Sequence, residues 1–305
     1  MSENTKIEWC DHTFNPWEGC QKVGLGCDNC YAEARNARFG GGSAPNWGPG
    51  APRRRTSEAN WRKPLAWNRD AATFHAEHGR RQRVFCASLA DVFDNEVSPQ
   101  WRDDLWQLIR STPHLDWLLL TKRIGNAARM LPCSPDSFGV AFPNVWLGAT
   151  VVNQEEVDRD VPKLLKIYAA QRFLSIEPML GPISLSRFLG QGFGPAPTWV
   201  IVGGESGPHA RPMHPDWARS LRDQCAAVGV PMLFKQWGEH ALDYDRDRDD
   251  PDYRRCSAQE RLPGRWINLA GGHGFNGERV HYAHKVGKKT AGRLLDGVQH
   301  DGFPE

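Results

Sequence analysis

The chain has 305 residues, 40% apolar and 24% charged, which is enough to bury a sizeable core beneath a solvated surface and marks a globular protein. Its formal net charge of +2 excludes a bulk polycation that holds nucleic acid by phosphate neutralisation alone, so any such binding is local. The opening MSENTKIEWC has no basic segment followed by an apolar core, and runs such as Trp117 to Leu120 are too short for a bilayer; the expectation is a cytoplasmic protein without a membrane partner.

In chain order, a short strand is predicted around Ile7 to Trp9, and from residue 83 onward apolar runs of strand length recur. They are Val84 to Ala87, Leu115 to Leu120, Val145 to Ala149, Phe173 to Ile176, Trp199 to Val202 and Met232 to Phe234. The runs are near-continuous rather than alternating, the pattern of strands buried on both faces of a parallel sheet. Helical stretches separate them, among them Pro99 to Arg110, Asn153 to Leu165 and Pro215 to Val228, the last opened by Pro-Asp-Trp and closed by Gly229. This alternation predicts an α/β fold, a parallel complete or partial barrel of about seven strands, with an open doubly wound sheet as the alternative.

Two segments interrupt the alternation. Residues 40–82 are rich in Gly, Trp and Arg and read as an insertion after the first helix. Residues 239–262, with acids from Asp243 to Asp252 among arginines, read as a solvated loop. The expected division is a barrel over 1–238 carrying the 40–82 insertion, then a C-terminal extension over 239–305. That extension holds a basic tail, Lys285 to Arg293, before an apparent helix around Leu294 and Leu295.

Three of the eight cysteines, Cys20, Cys27 and Cys30, fall within eleven residues. Cys86, Cys133, Cys225 and Cys256 are scattered, as small buried hydrophobes are. A long enzyme-like chain without a secretion signal keeps its thiols reduced. Gly24 and Gly26 lie inside the cysteine loop and let the backbone wrap closely around a bound object. Structural zinc takes four protein ligands, and no second Cys-x-x-Cys or His pair is nearby, whereas three thiolates suit a four-iron cluster whose fourth iron stays open. Cys10 and His12 are available as further ligands, so zinc stays open beside the cluster, as do plain redox cysteines.

Residues just after the strands of a parallel barrel line its catalytic mouth. Ser88 and Asp91 follow one run, then Thr121, Lys122 and Arg123, then Thr150 and Asn153, then Glu177, then Glu205 and Ser206, then Lys235 and Gln236. Ser88, Thr150 and Asn153 also suit helix caps or turns. The charged Lys122, Glu177, Glu205 and Lys235 need a partner, a ligand or a water-filled cavity, either as site residues or as a structural ion pair such as Glu177 with Lys235. The turn Gly203-Gly204-Glu205-Ser206-Gly207 lets backbone N–H groups approach a carboxylate or phosphate, yet lacks the dinucleotide and phosphate-loop fingerprints. A tight turn is the plain alternative. His209, Arg211 and His214 follow it, and a lone histidine is more often structural than catalytic.

Three clustered cysteines near the start of a parallel barrel resemble the radical S-adenosylmethionine superfamily, with C-x6-C-x2-C here in place of its usual C-x3-C-x2-C. The phrases Asn15-Pro16-Trp17-Glu18-Gly19-Cys20, Leu119-Leu120-Thr121-Lys122-Arg123, Asn144-Val145-Trp146-Leu147-Gly148 and Phe173-Leu174-Ser175-Ile176-Glu177-Pro178 extend the resemblance, as do Val202-Gly203-Gly204-Glu205-Ser206-Gly207 and Phe234-Lys235-Gln236-Trp237-Gly238. Together they resemble a phage and bacterial family of unknown function that is itself similar to radical S-adenosylmethionine proteins. The resemblance implies a 4Fe-4S cluster on Cys20, Cys27 and Cys30, S-adenosylmethionine at its open iron, and an electron donor. One electron then cleaves the sulfonium carbon-sulfur bond, and the radical formed abstracts hydrogen from a substrate. Lys122, Glu177 and Lys235 are the implied catalytic residues. Ser88, Asp91, Gly203, Gly204, Glu205 and Ser206 are the implied cofactor contacts. Glu177 or Glu205 accepts hydrogen bonds from cofactor hydroxyl or amino groups, and Lys122 or Lys235 faces a carboxylate or an anionic substrate.

The segment containing Arg53, Arg54, Arg55, Trp61, Arg62, Lys63 and Trp67 pairs positive charge with stacking surfaces, as nucleic-acid binders do. Equally ordinary is a loop pinned by tryptophans with its arginines solvated. The expected function is a radical enzyme acting on a nucleic acid or nucleoside-like substrate. The alternative is a non-catalytic protein stabilised by zinc or an inert cluster, working with a phage-encoded or bacterial protein partner.

Overall fold

In the computed structural model of the chain, residues 5–189, 195–246, 263–272 and 280–304 are described. Two compact units divide the chain, the first over 1–150 and 160–173, the second over 151–159 and 174–305. Among the described residues no helix is long and apolar enough to cross a membrane.

The first unit runs β1 (His12–Phe14), β2 (Trp17–Glu18), α1 (Tyr31–Phe39), β3 (Arg54–Arg55), α2 (Glu58–Trp61), α3 (Lys63–Arg69), α4 (Ala71–His78), β4 (Gln82–Cys86), α5 (Pro99–Arg110), β5 (Leu115–Thr121), α6 (Ile124–Met130), α7 (Phe138–Ala141) and β6 (Val145–Thr150). All six residues of β6 are buried, as the unbroken apolar run predicts. Helix α5 starts with Pro99 at its first turn, where the missing N–H costs no hydrogen bond. It buries Arg102, Leu105, Trp106 and Ile109 at three- and four-residue spacing.

The predicted strand at Ile7 to Trp9 is not where β1 forms. Trp9 is buried in a turn with its ring 4.5 Å from that of Phe85. The strand is His12–Phe14, paired in parallel with Val84, Phe85 and Cys86. Apolar content alone does not distinguish a packed turn from a strand. Within 40–82, β3 pairs antiparallel with β2, and the tryptophans pin the segment to the unit. Trp67 stacks on His12 at 4.1 Å, and Trp61 meets Phe14 edge-on at 5.7 Å.

Asp11 ties β1 to β4. Its carboxylate accepts both Arg80 Nη atoms, at 2.7 and 2.8 Å, and the Arg83 N–H at 2.7 Å. Burial alone raises a carboxyl pKa, but the Arg80 and Arg83 hydrogen bonds hold Asp11 below its ordinary value. A depressed folded-state value gives stability that is present above the unfolded value and lost as pH falls through the folded one. Asp11→Asn is therefore expected to cost about 1–3 kcal/mol at neutral pH. Chemical denaturation of wild type and variant should begin to converge as pH falls below about 4 and coincide only in stronger acid, below the depressed value of Asp11 itself; a gap that persists there contradicts the assignment.

Helix α8 (Gln154–Leu165) and strand β7 (Gln171–Ile176) have residues in both units. The second unit continues with α9 (Ser186–Leu189), β8 (Trp199–Gly203), α10 (Pro215–Ala227), β9 (Met232–Gln236), β10 (His240–Arg246), β11 (Gly264–Asn268), β12 (Val280–Lys285), α11 (Lys288–Ala291), β13 (Leu294–Leu295) and β14 (Val298–Gln299). Helix α10 is capped by His214, whose Nδ1 accepts the Asp216 N–H at 3.2 Å. It buries Trp217, Ala218, Leu221 and Cys225, and Gly229 at φ +72° follows its end.

Seven strands form one parallel sheet in the order β1-β4-β5-β6-β7-β8-β9, with β1 and β9 at its two edges. This is the expected parallel α/β architecture in its partial-barrel form. Three strands form a separate antiparallel sheet, β10-β12-β11.

Two expectations for the C-terminal part are corrected. The start of the supposed solvated loop 239–262 is strand β10, and residues 247–262 lie outside the described residues. The register against β12 shifts between Leu242 and Tyr244, so the strand carries no unbroken apolar period for the sequence to show among its acids. The helix expected at Leu294 and Leu295 is instead β13, which pairs with β14 across Asp296-Gly297, at φ +52° and +76°. An Asp-Gly pair with both φ positive is a hairpin turn. The helix there is α11, just before it.

Candidate metal centre

Each of the three clustered cysteines has its own anchor in the first unit. Cys20 bridges Trp47 in parallel, its carbonyl accepts the Gly48 N–H at 2.9 Å, and the preceding Gly19 N–H reaches the Leu89 carbonyl at 3.1 Å. Gly19 has φ +112°, and a Cβ there would lie 2.5 Å from the Asn46 carbonyl oxygen, so this close backbone approach requires glycine. Cys27 closes a single 3-10 turn, Leu25–Cys27, and is buried. Cys30 occupies the N-cap position of α1.

Basic groups at the end of β5 face these thiols. Arg123 Nη1 lies 3.3 Å from Cys20 Sγ, and Nη2 donates to the Gln21 carbonyl at 2.7 Å. Burial, followed by the Asp91 charge, pushes the Cys20 thiol up to about 12, with Arg123 opposing. Burial also raises Cys30, against the pull of the Glu33 and Ala32 N–H groups and of the Lys122 charge. Without a metal, Cys20 is a neutral thiol at pH 7; a bound cation replaces its proton.

Arg123 is itself held by a buried acidic network. Asp91 accepts from Thr121 Oγ1 at 2.7 Å, the Phe93 N–H at 2.9 Å, the Lys122 N–H at 3.0 Å and Arg123 Nη1 at 3.4 Å. Asp94, fully buried, accepts from Arg53 Nε at 2.8 Å and lies 3.9 Å from Arg123 Nε. Arg53 Nη1 also donates to the carbonyls of Asn46, Gly48 and Ala51, at 3.3, 3.3 and 2.7 Å. The 46–51 segment that bridges to Cys20 is thereby fastened to the same network as Arg123.

The second unit holds another polar constellation. Lys235 Nζ contacts both Glu177 oxygens, at 2.7 and 2.9 Å, the ion pair weighed from the sequence. Gln236 Nε2 bridges Glu177 Oε1 at 3.3 Å, the Gly204 carbonyl at 3.2 Å and Ser206 Oγ at 2.8 Å. Glu205 is buried and accepts from Arg211 through Nε at 2.9 Å, Nη2 at 2.6 Å and the backbone N–H at 2.8 Å. A Cβ on Gly204 would lie 2.0 Å from the Trp237 carbonyl oxygen. In this turn the glycine is required by close backbone packing against residues 237–238.

A family described as protein of unknown function (DUF5131) matches residues 4–304. The chain belongs to the DUF5131 family. No curated protein matches it. Among solved structures, this DUF5131 chain is similar to spore photoproduct lyase complexed with dinucleoside spore photoproduct, at 10% identity and TM-score 0.39. A form of that lyase with bound AdoMet and dinucleoside spore photoproduct gives the same identity and TM-score, and a cysteine-to-serine mutant gives 11% and 0.41. Each likeness covers 92% of this chain and 70% of the other.

Of the residues singled out from the DUF5131 sequence, Cys20, Cys27, Cys30, Ser88, Asp91 and Lys122 belong to the first unit, and Glu177, Gly203, Gly204, Glu205, Ser206 and Lys235 to the second. Ser88 sits beside the cysteine loop: its Oγ accepts from Asn15 Nδ2 at 3.0 Å, and its carbonyl accepts the Tyr31 hydroxyl at 2.5 Å, the residue after Cys30. Gly203 packs on Glu177, 3.4 Å from where its Cβ would stand. Asp94 carries no assignment from the sequence, Arg53 stood there only as part of the charged, tryptophan-rich segment, and Arg123 only as one of the polar strand ends. The arginines of the insertion are largely used internally, Arg54 with Glu18 and Arg55 with Asp104 at 2.7 Å and over the Trp61 ring at 4.1 Å.

Proposed function

We propose that the chain is an iron-sulfur, S-adenosylmethionine-dependent radical enzyme, with Cys20, Cys27 and Cys30 as ligands of a 4Fe-4S cluster. The observation that carries this reading is the donor set: three separately anchored thiols, with the Arg123 guanidinium 3.3 Å from one and the Lys122 charge acting on another. Three thiolates bring three negative charges, which fixed cations favour, and such a set suits a cluster with one open iron. When bound, cluster and S-adenosylmethionine supply one-electron cleavage of a carbon-sulfur bond and hydrogen abstraction from a substrate.

The chain's own residues then bind, orient and exclude water. Arg123 holds the Cys20 side of the loop, and Asp91 and Asp94 keep Arg123 in place. Ser88, just after β4, holds the cysteine loop through the Tyr31 hydroxyl, Asp91 acts on it through Arg123, and Lys122 faces an anionic group. In the second unit the Gly203–Ser206 turn and the Glu177–Lys235 pair handle polar and charged ligand groups: Lys235 a carboxylate, Glu177 or Glu205 a hydroxyl or amine. An external electron donor completes the requirement.

For the substrate we propose a nucleic acid or nucleoside-like molecule. Support comes from α1, next to the cysteine loop. There Tyr31 and Phe39 are exposed, with the Arg35 and Arg38 guanidinium carbons 5.0 and 5.9 Å from the Phe39 ring centroid. Aromatic faces interleaved with cations bind bases and phosphates with little sequence preference.

The test is anaerobic reconstitution with iron and sulfide, followed by dithionite and S-adenosylmethionine. About four irons per chain and release of deoxyadenosine are expected. A cysteine-bound zinc in place of iron, together with no cleavage, sinks the reading in favour of a metal-stabilised binding protein.

A further inference from the structure

We propose a second metal site, in the C-terminal part of the chain, in which His214, Asp216 and His281 bind a divalent transition-metal ion through two imidazoles and one carboxylate. The ligand atoms of these three side chains all lie within 4.8 Å of one another. They come from two distant places in the sequence: His214 and Asp216 from the start of α10, and His281 from β12 in the centre of the three-stranded sheet. Both histidines are almost completely buried, and their rings meet edge to face with centroids 4.5 Å apart.

The donor set decides the class of ion. Two nitrogen ligands and one oxygen suit zinc, ferrous iron or cobalt, while magnesium and calcium prefer oxygen alone. Bonds of about 2.0–2.1 Å in a tetrahedral site place ligand atoms roughly 3.3 Å apart, so side-chain rotation closes the observed span. The carboxylate is already oriented, because Arg219 Nη1 donates to Asp216 Oδ1 at 2.8 Å. An outer-shell donor of this kind fixes a ligand for binding through its other oxygen.

One existing contact must yield. The His214 Nδ1 lone pair now accepts the Asp216 N–H that opens α10. A metal at Nδ1 takes that lone pair directly; a metal at Nε2 moves the ring proton to Nδ1 and breaks the same bond. Either way the Asp216 amide loses its cap when the ion binds. The positive end of the α10 dipole disfavours a cation, and the Asp216 carboxylate in the first turn offsets it. The bound ion would clasp α10 to the sheet β10-β12-β11 and make their packing metal-dependent.

This site is independent of the cysteine loop, and the test keeps the two apart. The full chain carrying Cys20→Ala, Cys27→Ala and Cys30→Ala is stripped with chelator and titrated with cobalt(II), then with zinc. The expected result is one cobalt per chain, with visible d-d bands and no thiolate-to-cobalt charge transfer, displacement by zinc, and a higher melting temperature with zinc bound. Asp216→Asn should weaken zinc binding by at least about tenfold and His281→Gln by about a hundredfold. Asp216 is partly exposed and its replacement isosteric, so this variant serves if His281→Gln does not fold. The wild-type chain serves if the cysteine variant does not fold, because cobalt at thiols is recognised by its charge-transfer band. Absence of thiol-free cobalt binding, or binding that Asp216→Asn leaves unchanged, overturns the proposal. Neither outcome touches the cysteine-bound cluster iron or cofactor cleavage, which test the cysteine loop.

Discussion

Alanine at Cys20, Cys27 or Cys30 is expected to give a folded chain that has lost its iron and cleaves S-adenosylmethionine at least about a hundredfold more slowly than wild type, beyond what loss of an outer-shell partner costs a metal site. The separation of fold from chemistry follows from where these residues sit. The sheet core is made by side chains such as Trp117, Leu118, Leu119, Val145 and Leu147, all fully buried and remote in sequence from the cysteine loop. Truncating a thiol removes one small group from a loop that keeps its backbone anchors at Leu89, Trp47 and Gly48. Each thiolate, by contrast, is one of only three proposed bonds to the cluster. Iron per chain, far-ultraviolet circular dichroism and deoxyadenosine release measure the three quantities. Full iron retention refutes the ligand assignment, and collapse of the fold together with loss of metal favours a structural ion.

What the sequence made legible was set by the range of the interactions involved. Near-continuous apolar runs located six strands to within a few residues, because burial on both faces leaves a local mark; β5 was expected at Leu115 to Leu120 and spans Leu115–Thr121. Helix α5 matched its expected ends because Pro99 starts it. Strand β10 was missed because a register shift breaks its period among acids, and β1 because the buried Trp9 lies in a turn. The cysteine loop was visible as spacing, but its setting was not. Arg53 meets Asp94 across 41 residues and Arg123 meets Cys20 across 103, and no local pattern announces such pairs. The same holds for His281, which reaches His214 only through the fold. Arginines 53–55, read as a charged stacking segment, also make ion pairs with Asp94, Glu18 and Asp104 of their own unit, contacts that no local pattern shows.

Arg53→Met is expected to destabilise the protein by about 3–5 kcal/mol, one of the largest effects of any single change. The Arg53 side chain is 1% exposed and that of Asp94 0%. Removing the guanidinium leaves a buried carboxylate with the Glu96 N–H at 3.3 Å and Arg123 Nε at 3.9 Å. The poorly compensated buried charge, left with only the longer Arg123 contact, sets the cost more than the lost attraction does. Three backbone carbonyls between Asn46 and Ala51 lose their donor as well. Replacing both partners, Arg53→Met with Asp94→Leu, removes charge and counter-charge together, so urea denaturation should show the double variant closer to wild type than the two single losses added. Additivity contradicts the pairing. A structural salt bridge alone predicts only this stability pattern. Because the 46–48 backbone also holds Cys20 through the Trp47 bridge and the Gly48 N–H, Arg53→Met is expected to lower iron retention under conditions where the chain is still folded. Stability would then fall with iron content in Arg53→Met, whereas Asp11→Asn, which lowers stability through the β1–β4 connection, would leave the iron complement of the folded protein unchanged.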